Sequence, residues 1–217
     1  MGKGERTRER ILEIAEAAVL QKGFGATSID ELIAEAEITK GGFFYHFKDK
    51  NELARALLQR YIDQDEVILG RLFDPAEDPA NDPREAFLQG PEGFAGLVAD
   101  LPAGHPGCVV ATYCYQERLF DKAVRDLNRA AVLGWRRRFH TILQAIARRH
   151  PPREAVELEA LADMVMAVME GGIVLSKALN DPPVLAQQVL LLRTFFKLLF
   201  AGPAADGSPL AFSPNTP

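Results

Sequence analysis

The chain has 217 residues, 47% of them hydrophobic, enough for a sizeable core in one compact unit or two closely packed ones. Its net charge of −5 weighs against indiscriminate adhesion to nucleic acid, and no apolar run reaches membrane-spanning length without a charge or an interruption. Cys108 and Cys114 are too few for a disulfide framework and lack partners at metal-ligand spacing, so no metal and no cofactor is expected.

Taken in chain order, the pattern is helical throughout, with no sustained alternation of period two. Behind a charged start from Lys3 to Arg10, which no signal-like apolar core follows, Ile11, Ile14, Ala15, Ala18 and Val19 recur at helical spacing. Lys22 and Gly23 end this first helix. Ser28, with Glu31 three residues on, has the spacing of a capping box and opens a short second helix carrying Ile29, Leu32 and Ile33. Thr39 caps a third helix to about His46, too short to stand alone and held by packing of Phe43 and Phe47. Asp49 and Glu52 cap a fourth, running to about Phe73 and ending in the acidic, proline-rich DPAEDPANDP.

The segment TKGGFFYHFKDKNEL, from Thr39 to Leu53, carries the most chemistry. Two glycines allow close backbone approach, aromatics and a histidine reach sugar and phosphate, and lysines neutralise phosphate charge. Residues 1 to 60 hold ten basic and ten acidic side chains, so only local clustering favours DNA. In order, Gly23 and Phe24, Thr27 and Ser28, then Lys40, Gly41, Phe44, Tyr45, His46, Phe47, Lys48 and Lys50 resemble the DNA-binding domain of TetR-type transcriptional repressors. Gly42 and Phe44 depart from the small polar residue and the tyrosine usual there. The resemblance implies a helix-turn-helix in which Thr27 and Ser28 grip a phosphate and Thr39, Lys40, Gly41 and Gly42 open the recognition helix. Phe44, Tyr45 and His46 complete the contact set, and Lys48 and Lys50 serve as phosphate anchors.

Further helices are expected over residues 84 to 100, from Cys108 to Leu119 after the turn LPAGHPG, from Lys122 to Arg149, over 154 to 179, and over VLAQQVLLLRTFFKLLF. The tail from Gly202 to Pro217 is expected to be disordered. The last two helices are apolar around much of their circumference, which demands burial on more than one side. A deep monomer core would satisfy that, as would a two-fold dimer through a four-helix bundle, the arrangement the resemblance implies. Val168, Phe195, Phe196 and Leu199 are the interface candidates.

A small-molecule cavity in the middle of the chain is expected among Phe94, Cys108, Thr112, Tyr113, Trp135, Phe139, Met166 and Met169, an apolar set with a few polar groups. Cys108 follows HPG at a helix start, where the dipole and His105 could lower its pKa. With Glu117 it is similar to a subgroup of the family whose cysteine senses electrophiles, and the other reading is a buried, inert thiol. The arginines at 136, 137 and 138 read as a solvated face, with phosphate binding as a minor option. The expected protein is all-α, with about nine helices: a helix-turn-helix domain over 1–55, a ligand-binding and dimerisation domain over 56–201, and the tail over 202–217. It is expected to be a cytoplasmic, homodimeric repressor, released from a double-stranded DNA operator by a small-molecule inducer, without membrane attachment and not an enzyme. Neither Cys108 nor His105 has an oriented partner that catalysis would require.

Overall fold

The computed structural model describes residues 2–74 and 82–202. Among them the chain forms nine α-helices and no strand. These are α1 (Lys3–Lys22), α2 (Ile29–Glu35), α3 (Lys40–His46), α4 (Lys50–Phe73), α5 (Pro83–Ala99), α6 (Val109–Tyr115), α7 (Lys122–Arg149), α8 (Leu158–Ala178) and α9 (Pro183–Leu199). Most of the acidic loop after α4, and the tail expected to be disordered, lie outside the described residues.

Side-chain caps set the starts of α2, α3 and α4. Ser28 Oγ accepts from the Glu31 N–H at 3.2 Å, Thr39 Oγ1 from the Gly42 N–H at 3.1 Å, and Asp49 Oδ1 from the Glu52 N–H at 2.8 Å. Each satisfies an amide that the first helical turn leaves free. The expected box at Ser28 is only half formed, because the Glu31 carboxylate pairs with Lys22. Phe43 and Phe47, with ring centres 5.6 Å apart, are both buried and hold α3 in the core cluster shared with α1, α2 and α4, as their apolar character demanded. The turn between α2 and α3 passes through Glu37 at φ 54°, a left-handed conformation that a non-glycine residue adopts at a cost of about 1 kcal/mol.

Gly23 and Phe24 do more than end α1. Gly23 has φ 84°, and a Cβ there would lie 2.4 Å from Gln116 Nε2, so a side chain would be strained by conformation and would have to displace the Gln116 amide. Gln116 Oε1 accepts from the Gly25 N–H at 3.0 Å. Phe24 packs on Tyr113 and Phe120, whose rings stack at 4.2 Å, and the Tyr113 hydroxyl donates to the Ala54 carbonyl at 3.0 Å. The turn after α1 is thus glued to α6. Gln116 ends α6 at Tyr115, and Glu117–Leu119 continues as a 3-10 turn rather than as the longer helix expected.

In the second half α5 and α7 pack on α4, α9 packs on α5 and α8, and α8 packs on α7. A Cβ on Gly90 would meet the Phe73 ring at 2.3 Å, so Gly90 is what lets α4 and α5 approach closely. Helix α8 begins at Leu158 instead of residue 154. The Arg153 N–H donates to the Leu199 carbonyl at 2.8 Å, tying the segment after Pro151 and Pro152 to the end of α9.

Two of the four interface candidates are corrected. Phe196 is 1% exposed, packed edge-on against Phe87, and Leu199 is 7% exposed. Both belong to the core of the single chain. Val168 is half-buried, and Phe195 is exposed. The uncovered apolar residues are instead Val174 and Leu175 on α8, with Leu191, Phe195 and Leu198 on α9. On α9 they recur at four- and three-residue spacing and share one outward face, while Val174 and Leu175 are neighbours about 100° apart on α8.

Candidate nucleic-acid interface and ligand cavity

Helix α3 presents most of the chemistry expected of it to solvent. Thr39, Lys40, Gly41, Phe44, Tyr45 and Lys48 are exposed, and Gly42 and His46 are half-buried. Tyr45 is 82% exposed, more than fold packing would leave to an aromatic ring with a structural task. The glycines are informative in another way. A Cβ on Gly41 would meet only Thr39 Oγ1 at 4.0 Å, and one on Gly42 would make ordinary contacts at 3.4 Å or more. The fold requires neither, although each costs a helix about 1 kcal/mol relative to alanine. The acidic residues between the basic ones are engaged: Glu37 lies 3.6 Å from Arg10, and Asp30 lies 4.0 Å from Lys40.

Two expected contacts find other employment. Thr27 is 1% exposed and its hydroxyl donates to the Gly23 carbonyl at 3.0 Å, so it braces the turn before α2 and cannot reach a phosphate. Its neighbour Ser28 is exposed. Lys50 donates from Nζ to the Phe24 carbonyl at 2.9 Å, and burial lowers its pKa. Its ammonium is committed within the protein, which leaves Lys48 as the free cation of the pair.

Five of the eight residues expected on a ligand cavity stand on one wall, and three do not. Phe94, Cys108, Trp135, Met166 and Met169 line a space of about 90 Å³ together with Tyr61, Asp65, Ile68, Leu69, His105, Glu170 and Ile173. Thr112, Tyr113 and Phe139 are not on this wall. The Thr112 hydroxyl donates to the Cys108 carbonyl, Tyr113 joins α6 to the head, and Phe139 packs edge-on against Phe73 in the core. Tyr61, Asp65 and Glu170 were missed because polar residues on long helices read as solvent faces. The available signal was their spacing: 61, 65, 68 and 69 share one face of α4, and 166, 169, 170 and 173 one face of α8.

Burial shapes the electrostatics of this wall. Asp65 is raised to about 7, by burial first and then by Glu16 and Glu66. Burial also raises Glu170 and lowers His105, which accepts the Gly107 N–H on Nδ1 at 3.2 Å and is therefore neutral with its proton on Nε2. Cys108 caps α6, its sulfur accepting the Ala111 N–H at 3.4 Å, yet its pKa is pushed up to about 12 by burial and by the Glu170 charge. The lowered pKa expected from the helix start is corrected: desolvation outweighs the dipole, which disfavours the thiolate near neutral pH. The arginine cluster is likewise absorbed. Arg136 pairs with Asp163 at 2.7 Å and Glu159 at 3.0 Å, and Arg138 pairs with Glu66 and Asp74.

A short helix with an exposed, cationic and aromatic surface, set across a turn from a second short helix and carried by an all-helical body, has the arrangement of a helix-turn-helix. Residues 11–57 match the family model of bacterial regulatory proteins of the tetR family. The chain is 33% identical over 82 residues, 38% of its length, to the uncharacterized HTH-type transcriptional regulator YerO of Bacillus subtilis, and spans 27% of that relative. It is 22% identical over 170 residues to the HTH-type transcriptional repressor DhaR of Mycobacterium sp., covering 78% of this chain and 82% of DhaR. It shares its fold with a TetR-family transcriptional regulator from Agrobacterium tumefaciens, at a TM-score of 0.76 and 21% identity, over 92% of this chain and all of the other. Residues 11–57 thus carry the family's DNA-binding region, and the whole fold is that of a TetR-family regulator. Among the described residues no helix is long and apolar enough to cross a membrane.

Proposed function

We propose that the chain is a homodimeric repressor that reads an operator in double-stranded DNA through α3 and leaves it when a small molecule enters the cavity. The observation that carries the first part is the pair Gly41 and Gly42, which the fold does not need and which an approaching base edge or phosphate would. Residues 1–55 are the DNA-reading unit. Ser28, Thr39, Lys40, Gly41, Gly42, Phe44, Tyr45, His46 and Lys48 make its contact face, Lys48 supplying phosphate attraction. The relative DhaR is named a repressor, which favours repression over activation.

Residues 56–201 are the sensing and pairing unit. The exposed stripe of Val174, Leu175, Leu191, Phe195 and Leu198 is of the kind that a second copy covers, four helices then forming a bundle about a two-fold axis. Pairing sets the two α3 helices one turn of DNA apart, about 34–36 Å.

Helix α4 links the two tasks. Its first turns carry the head through buried Leu53, Leu57 and Leu58, and its later turns supply Tyr61, Asp65, Ile68 and Leu69 to the cavity. A cavity of about 90 Å³ is smaller than the roughly 300 Å³ or more typical of ligand sites, so a ligand must widen it. Widening displaces α4 and changes the α3 separation in the dimer. Ligand and DNA then oppose each other reciprocally. The test is selection of a binding sequence from a random duplex pool by the full chain, followed by gel shift at rising ligand concentration. Recovery of a two-fold-symmetric site that ligand releases is the expected result.

A further inference from the structure

The cavity wall has an unusual combination of groups for a small apolar space. Asp65 reaches it from α4 and Glu170 from α8, two carboxyls on opposing helices. The charges that act on Asp65, those of Glu16 and Glu66, have its own sign. Lys177 acts on Glu170 from outside the wall, its Nζ held by the Pro106 carbonyl at 2.5 Å. A third polar group is left without a partner: the Trp135 side chain is 4% exposed, and its indole Nε1 is buried with no hydrogen-bond acceptor. A buried N–H without an acceptor costs free energy, and a ligand that supplies one recovers it. Around these groups stand the rings of Tyr61, Phe94 and Trp135, whose faces attract cations.

We propose that this cavity takes a hydrophobic organic cation, an amine or quaternary ammonium on an aromatic or branched skeleton, with Asp65 and Glu170 as its charge partners and the Trp135 N–H donating to an acceptor elsewhere on the ligand. The proposal rests on the ligand-responsive repressor described above and names the chemistry of its ligand. Without ligand, burial raises both carboxyls, and a cation between them favours ionisation of both. A neutral ligand gains no such attraction, and an anion meets two acids. Met166 and Met169 are the wall residues best able to make room, since unbranched thioether side chains repack at little cost.

Trp135 is the only tryptophan of the chain, so its fluorescence reports occupancy of the cavity directly. The full chain is titrated with benzyltrimethylammonium, its neutral isostere neopentylbenzene, and phenylacetate. The expected result is saturable quenching by the cation at a concentration at least tenfold below that of the neutral compound, with phenylacetate weakest. Asp65→Asn and Glu170→Gln should each weaken the cation at least tenfold and leave the neutral compound unchanged. Quenching by the neutral compound or phenylacetate at equal or lower concentration, or by none of the three, overturns the proposal even if a variant fails to fold. Gel shift on the selected operator separates the two claims. A cation that occupies the cavity without releasing DNA leaves the cavity chemistry standing and removes the inducer role. Operator binding with a cavity that prefers neutral ligands does the reverse.

Discussion

Lys50 Nζ donates to the Phe24 carbonyl at 2.9 Å and lies 4.6 Å from the centre of the Phe24 ring, joining the first turn of α4 to the turn that follows α1. Phe24 packs in turn on Tyr113 and Phe120 of the body. A lysine that looks like a phosphate anchor is therefore part of the joint between the DNA-reading head and the rest of the chain.

Lys50→Ala should cost about 1 to 2 kcal/mol of stability, the worth of one charged hydrogen bond and one cation–π contact, with little change in the salt slope of DNA binding. Lys48→Ala should do the opposite. Its stability should stay within about 0.5 kcal/mol of the parent, and the slope of log affinity against log salt should fall by about one per subunit. Thermal melts and binding at several salt concentrations check both.

Asp65 should weaken the protein as pH rises. Its folded pKa is about 7, above the ordinary carboxyl value of 3.8, so between those values the folded chain holds a proton that the unfolded chain has lost. Stability from this group is full below about pH 4, declines toward 7 and is flat above. Asp65→Asn, fixed in the neutral form, should be more stable by roughly 2 kcal/mol at pH 8 and show no gain at pH 4. Glu16 and Glu66, which raise Asp65, and the wall groups Tyr61, His105, Cys108 and Glu170 stay in place in that comparison. Urea unfolding across pH 4 to 8 measures it.

The thiols should label in the order opposite to a sensor at Cys108. Cys114 is exposed, whereas Cys108 is enclosed and its pKa is about 12. Cys108 should alkylate well over tenfold more slowly at pH 7, and modification of Cys114 should leave DNA binding unchanged. Peptide mapping after timed labelling resolves the two.

Phe195 and Phe196 should behave as opposites despite being neighbours. Phe195→Glu places a charge on the uncovered face, so sedimentation should show a folded monomer that has lost operator affinity. Phe196→Glu puts a carboxylate into the core against Phe87 and should cost at least about 3 kcal/mol of folding. A Phe195→Glu protein that remains dimeric would place the subunit contact elsewhere.

The helix order and most boundaries were legible because caps are local. Ser28, Thr39 and Asp49 each accept the amide three residues on, whatever lies around them. Facing was less legible where apolar residues also stand on the exposed side. In α9 the polar Gln187, Thr194 and Lys197 share the exposed side with Leu190, Leu191, Phe195 and Leu198, so Phe195 and Phe196 read alike, although a helix turns neighbours about 100° apart. Cavity residues were half legible: the apolar ones stood out, but Asp65 and Glu170 became wall residues only through the opposition of α4 and α8. For Thr27 and Lys50 the residue types were right for DNA, and the carbonyls of Gly23 and Phe24 claimed them first.

The most direct measurement is the pairing of melting temperature and operator affinity for Gly41→Ala. The fold has room for the Cβ, and alanine is favoured over glycine in a helix by about 1 kcal/mol, so the melting temperature should hold or rise. If α3 meets DNA at this glycine, affinity for the selected operator should fall at least tenfold in the same protein. A Gly41→Ala protein that is as stable as the parent and binds the operator equally well would contradict the assignment of this face to DNA.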